Sequence, residues 1–522
     1  MTGAAVVTLD GSPLTVAAVV AVARGEARVE IDPGVAGRMA PARAVVDRIV
    51  AEGTTVYGIT TGFGALASVR VSPAEARQLQ QSLVLSHAAG MGPPVEPEVV
   101  RAMMLLRART LAAGASGVRP VLVEGLVALL GAQVTPVVPE LGSLGASGDL
   151  APLAHVGAVL CGEGEAVDAT GRRMSGAEAL AAAGLAPVVL EAKEGLALLN
   201  GTEGMLAHLC LALTDLDRLL RTADVACAMT VEALLGTDAA YAPELHGLRP
   251  HPGQATSAAN LRRLLAGSDI VASHAPGTSR DTAGPLGDHA VQDAYSLRCA
   301  PQVHGAARDV VAFAREVVGR ELASVTDNPV VLVEGDQGQG SVASTGNFHG
   351  QPLAFAADFC AIALADLAAM SERRTDRLMD PARSQGLPAF LAVDAGVNSG
   401  FMLAHYTAAA AVSRLRTAAT PASVDSISTS GGQEDHVSMG WNAARKLFGS
   451  LRDAARVLAV EILCAAQGLE LRELSPSPET QAVLRGLRAE VPPLPVDRFL
   501  APDLAAVERL VWDGVLLPEW LQ

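Results

Sequence analysis

Residues 352–380 read PLAFAADFCAIALADLAAMSERRTDRLMD, an apolar stretch dominated by alanine, leucine and other helix-forming residues. Two further stretches, residues 206–236 and 441–473, have the same character, and each reads as a long amphipathic or wholly apolar helix. Helices of globular proteins average about 10–14 residues, so runs of this length indicate a bundle of long helices. The sequence therefore predicts an all-α fold with a central and C-terminal long-helix bundle.

The composition agrees with closely packed helices and limits the classes of function. The chain has 522 residues, half of them hydrophobic, yet only 3% are aromatic, so the apolar content is mostly small and aliphatic. A net charge of −16 disfavours binding to nucleic acid, which requires a basic face. Length alone allows several domains or one large helical unit. We expect two regions, an N-terminal helical region at residues 1–200 and the long-helix bundle at residues 201–522.

Cysteine placement and hydropathy predict a soluble, cytoplasmic protein. The six cysteines are scattered and form no CxxC pair, as is usual for thiols in a reducing compartment. The N-terminus lacks the basic segment of a secretory signal. The apolar stretches at residues 121–139 and 352–370 contain acidic residues, Glu124 in the first and Asp358 and Asp366 in the second. Because charges are costly inside a bilayer, we expect no membrane-spanning segment.

The N-terminal region alternates helices with glycine-rich loops. Ser72, with Glu75 three residues later, predicts a capped helix start, and residues 97–114 and 150–160 have helical patterns. The segment at residues 54–67, TTVYGITTGFGALA, is predicted to be a loop.

Three more segments rich in glycine, proline or serine are also predicted to be loops. They are residues 139–148, 273–287 and 334–346.

The sequence does not fully match several common catalytic motifs. Residues 145–149, GASGD, differ from the GxSxG nucleophile elbow because Asp149 stands where the second glycine is required. Residues 62–64, GFG, loosely fit a dinucleotide-binding pattern, but no predicted strand precedes them. The eleven histidines form no HExxH motif or other close ligand cluster, so we expect neither a metal nor a dissociable cofactor.

The tripeptide Ala146-Ser147-Gly148 has the residue types for an internal cyclisation. Attack of the Gly148 nitrogen on the Ala146 carbonyl carbon, with loss of water and dehydration of Ser147, yields a 4-methylidene-imidazol-5-one ring. Gly148 has no Cβ to block that approach, and Ser147 supplies the hydroxyl that leaves. Asp149 is predicted to cap the following helix, with Pro152 in its first turn. By residue type alone, a plain glycine-rich turn with an Asp cap is the favoured description.

Several blocks of sequence, which match one protein family in the same order, decide between ring formation and a plain turn. The segment GASGDLAPLAH resembles the cofactor loop of the aromatic amino acid ammonia-lyases and aminomutases, which build this ring autocatalytically. Other blocks match the family in the same order, and together they cover roughly residues 10–510: YGITTGFG (57–64), LALLNGT (196–202), AYSLRCAPQ (294–302), TDNPVV (326–331) and GNFHG (346–350). The resemblance implies a fumarase/aspartase-like all-α fold. It also implies a homotetramer in which each active site is built from three chains.

Two blocks resemble the histidine-specific members of this family. They are LSHAAGMG, which contains His87, and QEDHVSMGW, which contains Gln433 and Glu434. A His/Glu pair suits an imidazole, which both donates and accepts hydrogen bonds. A phenylalanine ring would leave these polar groups unpaired in a closed pocket. The resemblance implies non-oxidative elimination of ammonia from L-histidine to give trans-urocanate.

The resemblance also assigns roles to individual residues. Tyr57 and Tyr295 are the proton-transfer candidates, and Arg298 is expected to bind the substrate carboxylate, for which the guanidinium fork is well suited. Asn200 resembles the residue that hydrogen-bonds the ring oxygen, and Asp149 one that assists ring formation. The remaining pocket candidates are Gln292, Phe348, His87, Gln433 and Glu434. His155, His349 and His436 are expected to be structural.

The sequence departs from the family pattern at a few positions, and alternatives remain open. The departures are Thr60, Glu203, Gln351 and His304, of which Gln351 and His304 are expected to border the pocket. One alternative keeps the fold and changes the reaction to a tyrosine or phenylalanine ammonia-lyase or an aminomutase. Another is a catalytically inactive relative that serves as a structural assembly.

Overall fold

The computed structural model describes residues 5–62, 71–72, 75–273, 292–335 and 339–522. The chain divides into two compact units. The first unit comprises residues 1–214, 315–358 and 421–445, and the second comprises residues 215–314, 359–420 and 446–522. The expected division at residue 200 stays a prediction.

The fold is all-α. The helices are α1 (Val16–Ala23), α2 (Val35–Glu52), α3 (Ala76–His87), α4 (Pro97–Ala112), α5 (Val121–Gly131), α6 (Leu150–Leu160), α7 (Gly176–Ala182), α8 (Glu194–Leu199), α9 (Glu203–Ala233), α10 (Pro243–Gly247), α11 (Pro252–Leu264), α12 (Asp269–Ala272), α13 (Tyr295–Arg298), α14 (Ala300–Leu322), α15 (Gln351–Met379), α16 (Met402–Ala418), α17 (Gly440–Glu470), α18 (Pro478–Arg488) and α19 (Ala501–Asp513). Short 3₁₀ turns cover Ala239–Tyr241, Ala389–Leu391, Ser430–Gly432 and Glu519–Leu521.

The three long helices predicted from the sequence are confirmed. α9, α15 and α17 begin and end within a few residues of the expected bounds because uninterrupted helix-forming residues leave few places to stop. The long helix α14 was not identified from the sequence, and neither was α16. Pro301 and Gly305 lie within the first two turns of α14, where they weaken a sequence-based prediction.

Short strand pairs accompany the helices. The strands are β1 (Ala5–Leu9), β2 (Ala27–Ile31), β3 (Met91–Pro94), β4 (Thr135–Pro136), β5 (Pro139–Leu141), β6 (Glu165–Val167), β7 (Arg173–Ser175), β8 (Val330–Val333) and β9 (Gly340–Ala343). β1 pairs with β2 in parallel, and the antiparallel pairs are β3–β5, β4–β6, β6–β7 and β8–β9. The β3–β5 pair ends at Leu141 and so fixes the start of the loop that precedes α6.

The first unit places its glycine-rich loops on a buried helical core. α4 is central to this core: it packs against α1 and α5, and every residue from Ala102 to Ala112 is buried. α3, α6 and α8 pack against one another. In α6 every residue from Ala151 to Leu160 is buried except His155. This packing holds the loop at residues 142–149 and the turn at residues 200–202 on rigid supports.

The structure corrects two details predicted from the sequence. α3 begins at Ala76 rather than after a Ser72 cap, and the Ser72 hydroxyl instead donates to the Glu75 carboxylate (2.6 Å). The segment at residues 334–346 is not wholly a loop, because residues 340–343 form β9 and pair with the valine-rich strand β8. Residues 54–62 of the predicted loop at 54–67 are irregular, as expected, and residues 63–67 lie outside the described residues. The predicted loop at 273–287 lies outside them except for Ser273.

One helix is long and apolar enough to cross a membrane, judged by length and composition alone. This helix is α15, so the expectation that Asp358 and Asp366 would exclude it on those grounds is wrong. Within the described residues, 61% of its most apolar window is buried inside the fold. The Asp358 carboxylate accepts a hydrogen bond from the Ser423 backbone N–H (2.8 Å).

Candidate active site

The loop that carries Ala146-Ser147-Gly148 lies immediately before α6 and is bent by glycine. Gly148 has a φ of +76° and forms a bridge to Gly201. A Cβ atom at position 148 would overlap the Gly201 carbonyl oxygen, so only glycine fits. The Asp149 N–H donates to that same oxygen (2.7 Å). Packing against Gly201 is therefore a reason for glycine at position 148 that is separate from the cyclisation argument.

Two buried serines hold the loop from either side. Ser143 Oγ accepts from the Gly145 N–H (3.2 Å) and lies 3.1 Å from Asp149 Oδ1. Ser438 Oγ donates to the Gly145 carbonyl oxygen (3.0 Å). The next residue, Met439, donates its N–H to the Leu144 carbonyl oxygen (2.8 Å). These bonds tie the ring-forming tripeptide to the segment that carries Glu434.

Asp149 is fully buried but does not cap α6 with its side chain, so that expectation is wrong. Its Oδ2 atom accepts from the N–H groups of Gly204 (2.8 Å) and Met205 (2.9 Å), both in the first turn of α9. The free N–H groups at a helix start are good partners for a carboxylate, and here the helix belongs to a different segment. Burial raises the pKa of Asp149 to about 7, although the hydrogen bonds from Met205, Ser143 and Gly204 oppose that shift.

Asn200 precedes Gly201, the bridge partner of Gly148, and has unused hydrogen-bonding capacity. Its side-chain Nδ2 donates to the Asn328 backbone carbonyl oxygen (2.7 Å). Its backbone carbonyl oxygen accepts from Arg107 Nη1 (2.8 Å). Within the described part of the chain, Asn200 Oδ1 is buried without a hydrogen-bond partner. Since a buried polar atom without a partner is costly, this atom is available to accept a hydrogen bond from a group bound beside it.

A cavity of about 460 Å³ lies in front of the loop, within the first unit. Tyr57, Ser147, Asn200, His87 and Glu434 all line it. Its remaining walls are mostly apolar or hydroxyl-bearing: Leu79, Leu83, Leu150, Leu196, Leu199, Ser82, Ser86, Ser430 and Gly62. A concave, largely apolar space with a few convergent polar groups is the usual form of a small-molecule site.

His87 and Glu434 bring an imidazole and a carboxylate to the same cavity. Burial lowers the pKa of His87, although the Leu83 carbonyl and the Glu434 carboxylate oppose the shift, so the imidazole is neutral near pH 7. Ser86 Oγ lies 3.1 Å from His87 Nδ1 and fixes the ring. The Glu434 carboxylate accepts from Thr429 Oγ1 (3.2 Å) and lies 3.5 Å from Ser147 Oγ.

A second cavity, of about 450 Å³, shares Tyr57, Ser147 and Glu434 with the first. It is also lined by three residues that the sequence analysis assigned to the site, Ala146, Phe348 and Gln433. His349 and His436 line it too, with rings stacked 5.8 Å apart, although both were expected to be structural. His155 fits that expectation better, because its Nε2 accepts from the Gly90 N–H (3.1 Å).

Three predicted site residues lie in the second unit and line neither cavity. Tyr295 and Arg298 belong to α13, where the Arg298 guanidinium lies 4.8 Å from the centre of the Tyr295 ring. The Tyr295 side chain is 71% exposed. Gln292 is also exposed, just before α13.

The departures from the family pattern have structural explanations. Thr60 is buried and its hydroxyl accepts from Val56 N–H (2.9 Å) and donates to the Thr54 carbonyl (2.6 Å), which fixes the turn that carries Tyr57. Glu203 is buried against Arg107 (2.9 Å). The expectation that Gln351 and His304 border the pocket is wrong for the two cavities described. Gln351 donates to the Ser423 carbonyl and His304 is fully buried in the second unit.

Sequence reasoning missed several residues that shape the site. Leu79 and Leu83 precede His87 by eight and four residues on α3, a spacing that places all three on one helix face. That periodicity could have identified the two leucines as lining residues. No sequence pattern identifies Ser143 and Ser438, because their contacts depend on how distant segments meet. Across the described ranges, no three His, Cys, Asp or Glu side chains converge as metal ligands.

Comparison with known proteins agrees with this fold. A family model described as aromatic amino acid lyase matches residues 14–489. The chain belongs to this family.

The curated relatives share about half of their residues with the chain. A histidine ammonia-lyase of Streptomyces avermitilis is 53% identical over 513 residues, which covers 98% of this chain and 97% of the relative. Among solved structures, a histidine ammonia-lyase from Trypanosoma cruzi matches with a TM-score of 0.87 and 39% identity, over 99% of this chain and 96% of that one. A tyrosine aminomutase from Streptomyces globisporus matches with a TM-score of 0.90 and 38% identity, over 98% of this chain and 97% of that one.

Proposed function

We propose that this chain is a carbon–nitrogen lyase that eliminates ammonia from L-histidine and releases trans-urocanate. The observation that carries the proposal is a single cavity in which Ser147, Tyr57, His87 and Glu434 converge. The curated relative at 53% identity, named histidine ammonia-lyase, supports the same reaction.

The electrophile of this reaction is a 4-methylidene-imidazol-5-one formed from Ala146-Ser147-Gly148. The residues present fit that group. Gly148 is held where no side chain is tolerated, and Asn200 keeps a buried polar atom free beside it. The group supplies an electrophilic carbon that makes the substrate nitrogen a better leaving group. With a pKa of about 7, Asp149 can hold or release a proton at the loop while the ring forms.

His87 and Glu434 select an imidazole side chain. The Glu434 carboxylate accepts an imidazole N–H, and the neutral His87 ring, held at Nδ1 by Ser86, presents Nε2 to the cavity. A hydrogen bond to a charged group contributes about 1.5–3 kcal/mol. A phenyl ring would leave both groups desolvated and unpaired, so the cavity disfavours phenylalanine.

The remaining residues bind the amino acid and move the proton. Tyr57 lines both cavities beside Ser147 and is a proton-transfer residue, with Tyr295 as the second candidate. Arg298 binds the substrate carboxylate through its guanidinium fork. Gln292, Phe348 and Gln433 contact the rest of the substrate.

Because Tyr295 and Arg298 line neither cavity, we assign them to a site shared between subunits of a homotetramer. We expect this assembly in the cytoplasm.

Purified protein incubated separately with L-histidine, L-tyrosine and L-phenylalanine tests the proposal. We expect urocanate absorbance to grow with histidine alone, and a Ser147→Ala variant to give no product. Growth of a coumarate or cinnamate band without urocanate would overturn the substrate assignment. An intact mass that lacks the loss of two water molecules would overturn the electrophile.

A second candidate reaction is an amino shift to the β-carbon. The structural match to a tyrosine aminomutase, with a TM-score of 0.90, supports this candidate. Chromatography of the product mixture distinguishes the two reactions, because a mutase yields a β-amino acid and a lyase yields free ammonia.

A further inference from the structure

The short helix α13 carries Tyr295 and Arg298 at the surface, yet its backbone is held from the interior of the second unit. The Ser296 carbonyl oxygen accepts from Arg374 Nη1 (3.3 Å), and the Leu297 carbonyl oxygen accepts from Tyr241 Oη (3.0 Å). Arg374 and Tyr241 are both fully buried. A helix of four residues cannot satisfy its own last carbonyl groups, so these two donors determine where α13 lies.

Arg374 is itself fixed by a buried carboxylate. Glu461 Oε2 accepts from Arg374 Nη2 (2.9 Å), and Oε1 accepts from Nε, which makes a two-pronged pair with both side chains fully buried. Thr230 (2.9 Å) and Ser371 (2.6 Å) donate their hydroxyls to the same carboxylate. The plane of the guanidinium is therefore set, and the two hydrogens of Nη1 point in fixed directions.

His304 accepts one of those two hydrogens. Its Nε2 lies 3.4 Å from Arg374 Nη1, and its Nδ1 lies 2.7 Å from Asp224 Oδ1. A carboxylate can only accept, so Nδ1 carries the hydrogen and Nε2 is left as the acceptor. Burial lowers the pKa of His304. The Asp224 carboxylate raises this pKa, whereas the positive charges of Arg374 and Arg308 lower it further, and the net lowering keeps the ring neutral.

Asp224 is held in turn by Arg308 Nη2 (2.6 Å) and Asn260 Nδ2 (2.8 Å). With one Nη1 hydrogen of Arg374 committed to His304, the other is directed at the Ser296 carbonyl.

We propose that His304 is a positioning residue, which acts through Arg374 to fix the α13 turn that presents Tyr295 and Arg298 to substrate. This inference rests on the proposed function, since it matters only if these two side chains reach a substrate. His304 is fully buried, so it acts on a substrate only through its neighbours. It affects the reaction through Arg374, which donates to the Ser296 backbone carbonyl.

Three substitutions separate the two bonds of His304. His304→Gln can place an amide oxygen where Nε2 lies and so keeps the acceptor for Arg374. His304→Asn keeps the donor to Asp224 but is too short to reach Arg374. His304→Leu keeps neither bond.

We expect His304→Leu and His304→Asn to lower kcat/KM for L-histidine about tenfold, since small misplacements of catalytic groups have effects of this order or larger. KM should rise because Arg298 binds the carboxylate, and kcat should fall because Tyr295 moves a proton. His304→Gln should restore most of the loss.

Thr480→Val is the matched control. It removes a buried hydroxyl that donates to Glu232 (2.6 Å) in the same unit, without touching α13. We expect it to lower the thermal midpoint but not kcat/KM, when all variants are assayed well below their midpoints. Intact mass should show the loss of two waters in every variant, because the ring forms in the first unit.

If His304→Leu keeps the wild-type kcat/KM, or if His304→Asn matches or exceeds His304→Gln, the inference is wrong. Should His304→Leu fail to fold, the comparison of Gln with Asn still decides. A wild-type protein that forms no urocanate would instead overturn the proposed function.

Discussion

Glu434 is the residue on which substrate choice depends most directly. Its carboxylate faces the first cavity opposite His87, and only Thr429 and Ser147 supply hydroxyls to it within the described residues. Glu434→Gln removes the charge but keeps the shape, so we expect kcat/KM for L-histidine to fall about ten- to a hundredfold. Any residual turnover of L-tyrosine should change much less.

Steady-state kinetics with both substrates measure this difference. His436→Gln is the matched control: it alters a neighbouring residue that lines the second cavity but not the first, so we expect it to affect the turnover of both substrates alike. Equal losses on both substrates in Glu434→Gln would show that the carboxylate supports the fold of the loop rather than recognition of imidazole.

At this scale, the sequence was informative where chemistry restricts the residue type. Ser147 and Gly148 have the residue types that the ring requires, but the resemblance of the surrounding blocks was needed to identify them; the structure shows Gly148 packed directly against Gly201. Ser143 and Ser438 were not identified. A serine hydroxyl suits many surroundings, and its role is visible only once residues 293 positions apart, Gly145 and Ser438, are in contact.

At the scale of elements, Asp149 joins the start of α6 to the start of α9. Burial raises its folded-state pKa from 3.8 to about 7, so the folded chain binds this proton more tightly than the unfolded chain does. The resulting stabilisation is complete below about pH 4 and is lost as the pH rises through about 7. We expect Asp149→Asn to remove that loss, because its amide oxygen can accept the two α9 N–H groups while Ser143 accepts from its NH₂.

Urea unfolding of both proteins between pH 4 and pH 8 measures the effect. The difference in unfolding free energy, wild type minus Asp149→Asn, should fall across this range and level off above pH 7. The other titrating groups contribute equally to the unfolding free energy of both proteins, so their contributions cancel in the difference. A difference that is flat with pH would show that Asp149 is not protonated in the folded state near neutrality.

The same residue shows why elements are easier to predict than their connections. The bounds of α9, α15 and α17 follow from local composition, and α6 was predicted to the residue. The Asp149 cap was assigned to the wrong helix, since a carboxylate next to α6 in sequence found the free N–H groups of α9 in space. Sequence spacing identifies good partners within one helix but not between two.

At the scale of the whole molecule, the two cavities described in the first unit are lined by only some of the proposed catalytic residues. Ser147 and Tyr57 line the cavities of the first unit, whereas Tyr295 is 71% exposed in the second unit and lines neither cavity. The sequence could name Tyr295 and Arg298 only through resemblance, because a surface tyrosine beside an arginine has no distinguishing pattern of its own. Their placement is therefore best tested through the assembly.

Subunit mixing provides that test. Ser147→Ala and Tyr295→Phe should each be nearly inactive alone, because one lacks the electrophile and the other a proton-transfer group. If the two residues of one site come from different chains, random assembly of co-expressed variants in a closed oligomer gives roughly a quarter of sites with both groups intact. We expect co-expression, with each variant separately tagged and the hybrids purified through both tags, to restore about that fraction of wild-type activity. A control mixture of Ser147→Ala with Gly148→Ala, which both disable the same loop, should restore none. Hybrids of the first pair that stay inactive would place Tyr295 with Ser147 of its own chain.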